Sequence, residues 1–199
     1  LAHNENRRQG RDVKKGGYDM RVISGTARGT RLATLPGNDV TRPTVDRVKE
    51  GMFSAVQFLL EGARVLDLFS GSGQLGIEAL SRGAAYCVFV ETDSGACKVI
   101  HKNLQGAQMD ADVVQMPAES YLSSCSDRFD LILLDPPYHH GTVQALLPSL
   151  DKVLAPGGVI MAETEYGAEM PETCCDLHRK KQYKYGTVAL TRYEKDLEQ

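Results

Sequence analysis

Asp135, Pro136, Pro137 and Tyr138 follow directly on four consecutive apolar residues, 131–134. The apolar run reads as a buried strand. Two prolines in succession then stop it, because proline lacks an N–H and fixes its own φ. A rigid corner just past the carboxyl end of a strand is where open α/β sheets hold ligands. Asp135 offers carboxylate acceptors, the Pro136 carbonyl lacks a ladder partner, and Tyr138 presents a flat apolar face. With Pro137 holding the turn, this set suits a planar ring bearing an exocyclic amine: the amine donates to Asp135 and the Pro136 carbonyl while the ring stacks on Tyr138.

A second set lies upstream. Residues 64–70 read as a short buried strand, Gly71-Ser72-Gly73-Gln74-Leu75-Gly76 as a glycine turn opening a helix to about Arg82, and 86–92 as a strand ending on Glu91 and Thr92. A strand, a glycine turn and a helix amino terminus bring backbone N–H groups close to a ligand. An acidic residue after the next strand can bind both hydroxyls of a ribose, so Asp67, the turn and Glu91 imply a nucleoside-bearing cofactor. A nucleoside cofactor at one corner and a planar amine at the other call for group transfer. The pattern shows no nucleophile, metal or lysine Schiff base, which points to S-adenosylmethionine, whose sulfonium already activates a methyl. Alignment is then the main task of the protein, and Asp135 orients the amine.

Bringing both corners to one sheet edge takes strand–helix alternation, and the chain supplies it. Helices are expected at 94–105, 118–125 and 142–154, and strands at 112–116, 129–134 and 159–163 after the turn Pro156-Gly157-Gly158. Strands at 177–186 and 187–193 read as an antiparallel finish. The fold class is therefore α/β, a doubly wound and mostly parallel sheet. Upstream, 20–31 suggests a small hairpin carrying Arg21, Arg28 and Arg31. A helix is expected over 45–60, with Thr44 as its cap and Arg42 and Arg47 at its start.

The 199 residues suit one domain, with 20–62 as hairpin and helix and 63–199 as the core. Residues 1–19 are polar and basic and read as a flexible extension. Residues 1–50 hold 11 Lys+Arg against 6 Asp+Glu, a balance of +5 that leaves −8 for the remainder. A basic edge on an acidic body fits a polyanion, and Arg28, Arg31, Arg42 and Arg47 are the candidate phosphate contacts. No apolar run is long enough to span a membrane. Five cysteines without paired zinc or redox spacing read as reduced thiols of a cytoplasmic chain with no metal site.

At these residues the sequence resembles a known family. Asp-Leu-Phe-Ser-Gly-Ser-Gly at 67–73, Glu91 and Asp-Pro-Pro-Tyr at 135–138 look like Rossmann-like S-adenosylmethionine-dependent methyltransferases that modify exocyclic amines. Arg-Val-Ile-Ser-Gly at 21–25, Thr-Arg-Pro-Thr at 41–44, Gly-Ile-Glu-Ala-Leu-Ser-Arg at 76–82 and the closing Tyr185-Gly186 narrow the resemblance to the bacterial 16S ribosomal RNA guanine-N2 methyltransferases. That family implies a seven-stranded sheet with its last strand antiparallel. Asp67, Phe69, Gly71, Ser72 and Gly73 would line the methionine end of the cofactor, with Thr44 near it. Glu91 and Thr92 would lie at the ribose, and Ala118 and Glu119 at the adenine. The implied partner is 16S ribosomal RNA or an assembling small subunit, met by a monomer.

Two rival readings use the same residues. A DNA or other RNA amino-methyltransferase acting on adenine N6 or cytosine N4 shares the Asp135 corner, but the chain has no sizeable insertion to read a target sequence. A dinucleotide-binding oxidoreductase would use the glycine turn and Glu91 and would leave Asp135 and Tyr138 without a role.

Overall fold

The computed structural model describes residues 20–35, 43–137 and 141–197, with backbone alone at 43–46. Its centre is a strand of four apolar residues and their flanks, β4 (Phe129–Leu134), paired in parallel on one side with β1 (Arg64–Leu68) and on the other with β5 (Leu154–Glu165). β2 (Tyr86–Glu91) and β3 (Asp112–Gln115) extend the sheet beyond β1. β8 (Val188–Lys195) returns antiparallel beside β5, followed outward by β7 (Leu177–Tyr185) and the two-residue β6 (Thr173–Cys174). The order is thus β3-β2-β1-β4-β5-β8-β7-β6, eight strands. The seven expected strands gain only the short β6, which no sequence pattern marks.

Alternation along the strands builds two apolar layers. Val65, Leu131, Leu133 and Met161 join Phe53, Ile77 and Ile100 under α1 (Pro43–Ala55), α2 (Gln74–Ser81) and α3 (Ser94–Ala107). Leu66, Leu68, Ile132 and Leu134 point the other way, into Leu122, Leu147 and Leu150 of α4 (Ala118–Ser124) and α5 (Thr142–Val153). Covered on both faces, β1 and β4 keep their polar residues near their ends, Arg64 and Asp130 at the amino side. Asp67 and Asp135 sit at the carboxyl tips.

Two expectations change. The helix over 45–60 stops at Ala55, where the Arg192 guanidinium donates to the Ala55 carbonyl at 2.6 Å and the chain tightens into the turns Val56 N to Phe53 O and Leu59 N to Val56 O. Thr44 is not the cap: the helix begins at Pro43, the residue type suited to a first helical position, and Thr44 lies inside its first turn. The small hairpin over 20–31 forms as expected, an antiparallel bridge of Arg21 with Arg31 flanked by Val22 N to Thr30 O, Gly29 N to Val22 O and Leu32 N to Met20 O. It docks on α2, as Ile23 N and Ser24 N donate to the Glu78 carboxylate and Thr26 N to the Ser81 carbonyl.

Candidate active site

The glycine turn is folded by side chains as much as by glycines. Phe69 N and Ser70 N both donate to the Val90 carbonyl, and the Ser70 hydroxyl closes back on Asp67 O at 2.7 Å. This drives Phe69 to φ 72, a conformation that costs a bulky residue about 1–3 kcal/mol. Gly71 follows at φ 54 and has nothing within 4 Å of where a Cβ would lie, so its open side is free for a ligand. Gly76 serves packing: a Cβ there would run into the Phe89 ring and the Cys87 sulfur. Gly76 N donates to Asp67 at 2.8 Å, fixing a carboxyl only 1% exposed.

Asp67 and Asp135 border one cavity of about 180 Å³, together with Phe69, Gly71 and Ser72. The expected cofactor and amine corners therefore share a wall. Burial pushes Asp67 up to about 7, with Glu91 adding to the rise and the Gly76 N–H opposing it. Asp135 is likewise pushed up to about 7 by burial, then by the carboxylates of Glu163 and Asp67. The registers Leu68 with Leu134 and Leu134 with Ala162 set the ends of β1 and β4 beside Ala162 of β5. By strand parity Asp67, Asp135 and Glu163 then share one face. A cationic ligand would return the raised carboxyls to their charged form. S-adenosylmethionine, cationic at its sulfonium and its amino group, fits that donor set and the open side of Gly71. Among the described residues, no group of three or more His, Cys, Asp or Glu is arranged to hold a metal ion.

Pro136 and Pro137 border a second cavity, of about 210 Å³, beyond the corner. Tyr138 and Arg42 lie outside the described residues, as does the side chain of Thr44. Gly73 caps α2 at φ 78. Glu91 clamps the turn, accepting from Gly71 N at 2.8 Å through one oxygen and from Thr92 N and Asp93 N through the other. Neither Glu91 nor Thr92 lines the 180 Å³ cavity, and neither do Ala118 and Glu119, which open α4 behind Pro117 with Ala118 buried and Glu119 exposed. Arg28, Arg31 and Arg47 are exposed, and Arg28 borders a further hollow with Arg21 and Glu50.

Several residues at the site carry no sequence signal. Met20, Thr34 and Leu35 form a further wall of the 180 Å³ cavity, and Gln74 and Leu75, within the glycine turn that the sequence does mark, line it as well. Asn103 of α3 pins that wall: its side chain bonds Ala33 N at 2.7 Å and Ala33 O at 3.0 Å, and also Ser72 O at 2.9 Å. Glu78 pins the segment before it. The Glu78 side chain is fully buried, with Arg82 at 2.8 Å and Lys49 at 3.5 Å as counter-charges. A buried acid in a helix interior reads from sequence as an ordinary polar position, and only its partners 54 and 55 residues away show its task.

Residues 20–194 match the family described as Conserved hypothetical protein 95. YlbH of Bacillus subtilis (strain 168) is 41% identical over 183 residues, covering 88% of this chain and 99% of YlbH. Ribosomal RNA small subunit methyltransferase D of Escherichia coli (strain K12) is 33% identical over 186 residues, 91% of this chain and 92% of that protein. Among solved structures, YhhF of Escherichia coli aligns with a TM-score of 0.79 at 32% identity, covering 90% of this chain and 99% of that one. The match takes in the glycine turn, the Asp135 corner and the segment that walls the cavity between them, and this chain belongs to the Conserved hypothetical protein 95 family, with Ribosomal RNA small subunit methyltransferase D among its relatives.

Proposed function

We propose that this protein methylates the exocyclic N2 amine of a guanine in 16S ribosomal RNA, using S-adenosylmethionine, as a cytoplasmic monomer acting on the RNA or on an assembling small subunit. The observation that carries the reading is the single cavity walled by the glycine turn at one end and by Asp135 at the other. The cofactor supplies a methyl already activated by its sulfonium. Asp67, Phe69, Gly71 and Ser72 would hold its methionine end, Glu91 and Thr92 its ribose, and Ala118 and Glu119 its adenine, with Thr44 close by. Asp135 accepts from the target amine together with the Pro136 carbonyl, which turns the nitrogen lone pair out of conjugation with the ring. Tyr138 supplies the stacking face. As the nitrogen becomes cationic, its proton is acidic enough for an ordinary carboxylate to take.

A guanine N2 amine in a helix lies against the minor groove, so the base must come from a loop or be extruded. Arg28, Arg31, Arg42 and Arg47 would grip the flanking phosphates. β7 adds cations of its own on its two faces: Lys181 lies 5.0 Å from the Tyr183 ring on one, and Lys184 lies 3.8 Å from the ring of the exposed Tyr166 on the other. The test is methyl transfer to small subunits from cells lacking the protein, followed by nucleoside digestion and mass spectrometry. N2-methylguanosine is expected. Methyladenosine or methylcytidine in its place overturns the reading.

A further inference from the structure

The 210 Å³ cavity lies on the far side of the corner from the glycine turn, and its wall includes Pro136, Pro137, Glu163 and Thr164. Strand parity turns Glu163 to the face of Asp135 and Thr164 to the other face, so Glu163 is the side chain that can act together with Asp135. Glu163 and Asp135 follow the paired residues Ala162 and Leu134 on adjacent strands, so the two carboxylates stand next to each other at the sheet edge. Strands lie about 4.8 Å apart, and glutamate reaches one methylene further than aspartate, so the two present acceptors at different depths.

Two neighbouring acceptors call for two neighbouring donors. Guanine offers them, N1–H beside the N2 amine, whereas adenine and cytosine place an unprotonated ring nitrogen beside their exocyclic amine. We infer that Glu163 reads the target base, its carboxylate accepting the guanine N1–H while Asp135 holds the N2 amine. The inference rests on the guanine-N2 reading above and names the residue that makes it guanine. Glu163 already interacts within the protein, and a carboxylate has about four lone-pair directions, so it keeps capacity for a further donor. The same carboxylate would face the N1 lone pair of adenine and repel it.

The test uses the full chain and small subunits reconstituted on 16S RNA, ligated to carry either guanine or 2-aminopurine at the methylated position. 2-Aminopurine keeps the 2-amine but has no proton on N1. The ratio of kcat/KM on the two substrates is compared between the wild type and Glu163→Gln, whose carboxamide can donate to an unprotonated N1. The comparison cancels any intrinsic difference in amine reactivity. Loss of a hydrogen bond to a charged group corresponds to at least about a tenfold effect, so the variant should lose about tenfold or more on guanine and narrow the ratio by a similar factor. An unchanged ratio overturns the inference. Glu163→Asp, which withdraws the carboxylate by one methylene, is held to the same criterion if Glu163→Gln does not fold. A wild type that leaves guanine unmethylated is a different failure, that of the proposed function.

Discussion

Replacing Asp135 with Asn should make the protein more stable and nearly inactive. Burial and the carboxylates of Glu163 and Asp67 raise Asp135 from 3.8 to about 7. Between those values the folded protein holds a proton that the unfolded chain has released. Stability therefore falls as pH rises through that window, and above about 7 the full penalty remains. At about 1.4 kcal/mol per pH unit the interval bounds the penalty at roughly 4 kcal/mol. Because the crowding is shared with Asp67 and Glu163, about 2 kcal/mol is the working value for one member. Asparagine has the same shape and no charge at any pH. Ligand-free Asp135→Asn should thus melt roughly 4–8 °C above the wild type at pH 8, with the gain vanishing toward pH 4. Scanning calorimetry across that range measures it. Methyl transfer should fall by about a hundredfold or more, since the carboxamide keeps one acceptor oxygen but carries no charge and cannot take the proton as the amine becomes cationic. No gain at pH 8, or an equal gain at pH 4 and pH 8, would refute the claim that Asp135 is a buried carboxylate crowded by two others.

Other expectations can be checked with the same material. Gly76→Ala should cost about 1–3 kcal/mol of stability, read as a lowered Tm, because the new methyl meets the Phe89 ring and the Cys87 sulfur. Glu78→Ala removes a counter-charge from Lys49 and Arg82 and orphans Ile23 N and Ser24 N, so denaturant unfolding should show a loss of about 3–5 kcal/mol. Glu78→Gln keeps the acceptor and should lose less, while weakening S-adenosylmethionine binding in calorimetry because Met20 and Thr34 wall the cavity. Lys184→Glu should weaken RNA binding and lower its salt dependence by about one phosphate contact, leaving the affinity for S-adenosylmethionine unchanged.

What the sequence discloses and what it hides follow different physics. The strand Phe129–Leu134 is legible to the residue, because a run of apolar side chains ends against two prolines and both signals are local. Asp67, Phe69, Gly71 and Asp135 are readable as candidate residues for the same reason: each lies at or just past the carboxyl end of a buried strand. The end of α1 is not legible, because the group that terminates it, the Arg192 guanidinium, arrives from 137 residues away. Asn103 and Glu78 are silent for a related reason: their partners are backbone groups of the segment 20–35, which alternation reads as a hairpin and the structure uses as a wall. Glu163 is the intermediate case. It is one of many acids until β5 is known to lie beside β4, and only then does parity set it on the face of Asp135.

The site gathers features that a sequence selected for stability alone would lack. Phe69 is held at φ 72, and Asp67 and Asp135 are both raised to about 7 by burial and by neighbouring acids. Each destabilises the fold by itself. Each persists because its surroundings leave no alternative: Phe69 N and Ser70 N are both committed to the Val90 carbonyl, Gly76 N grips Asp67, and paired strands fix Asp135 between its neighbours. The strain at Phe69 and the crowded carboxyls fall on the wall of one cavity, while the clamps that enforce them lie behind it in β2, α2 and α3. A cationic ligand seated there relieves the electrostatic part of that cost, since its charge favours the ionised carboxylates that burial opposes. Binding energy for the cofactor is in this sense stored in the ligand-free fold, and the residues that store it are the ones that would hold its reactive end.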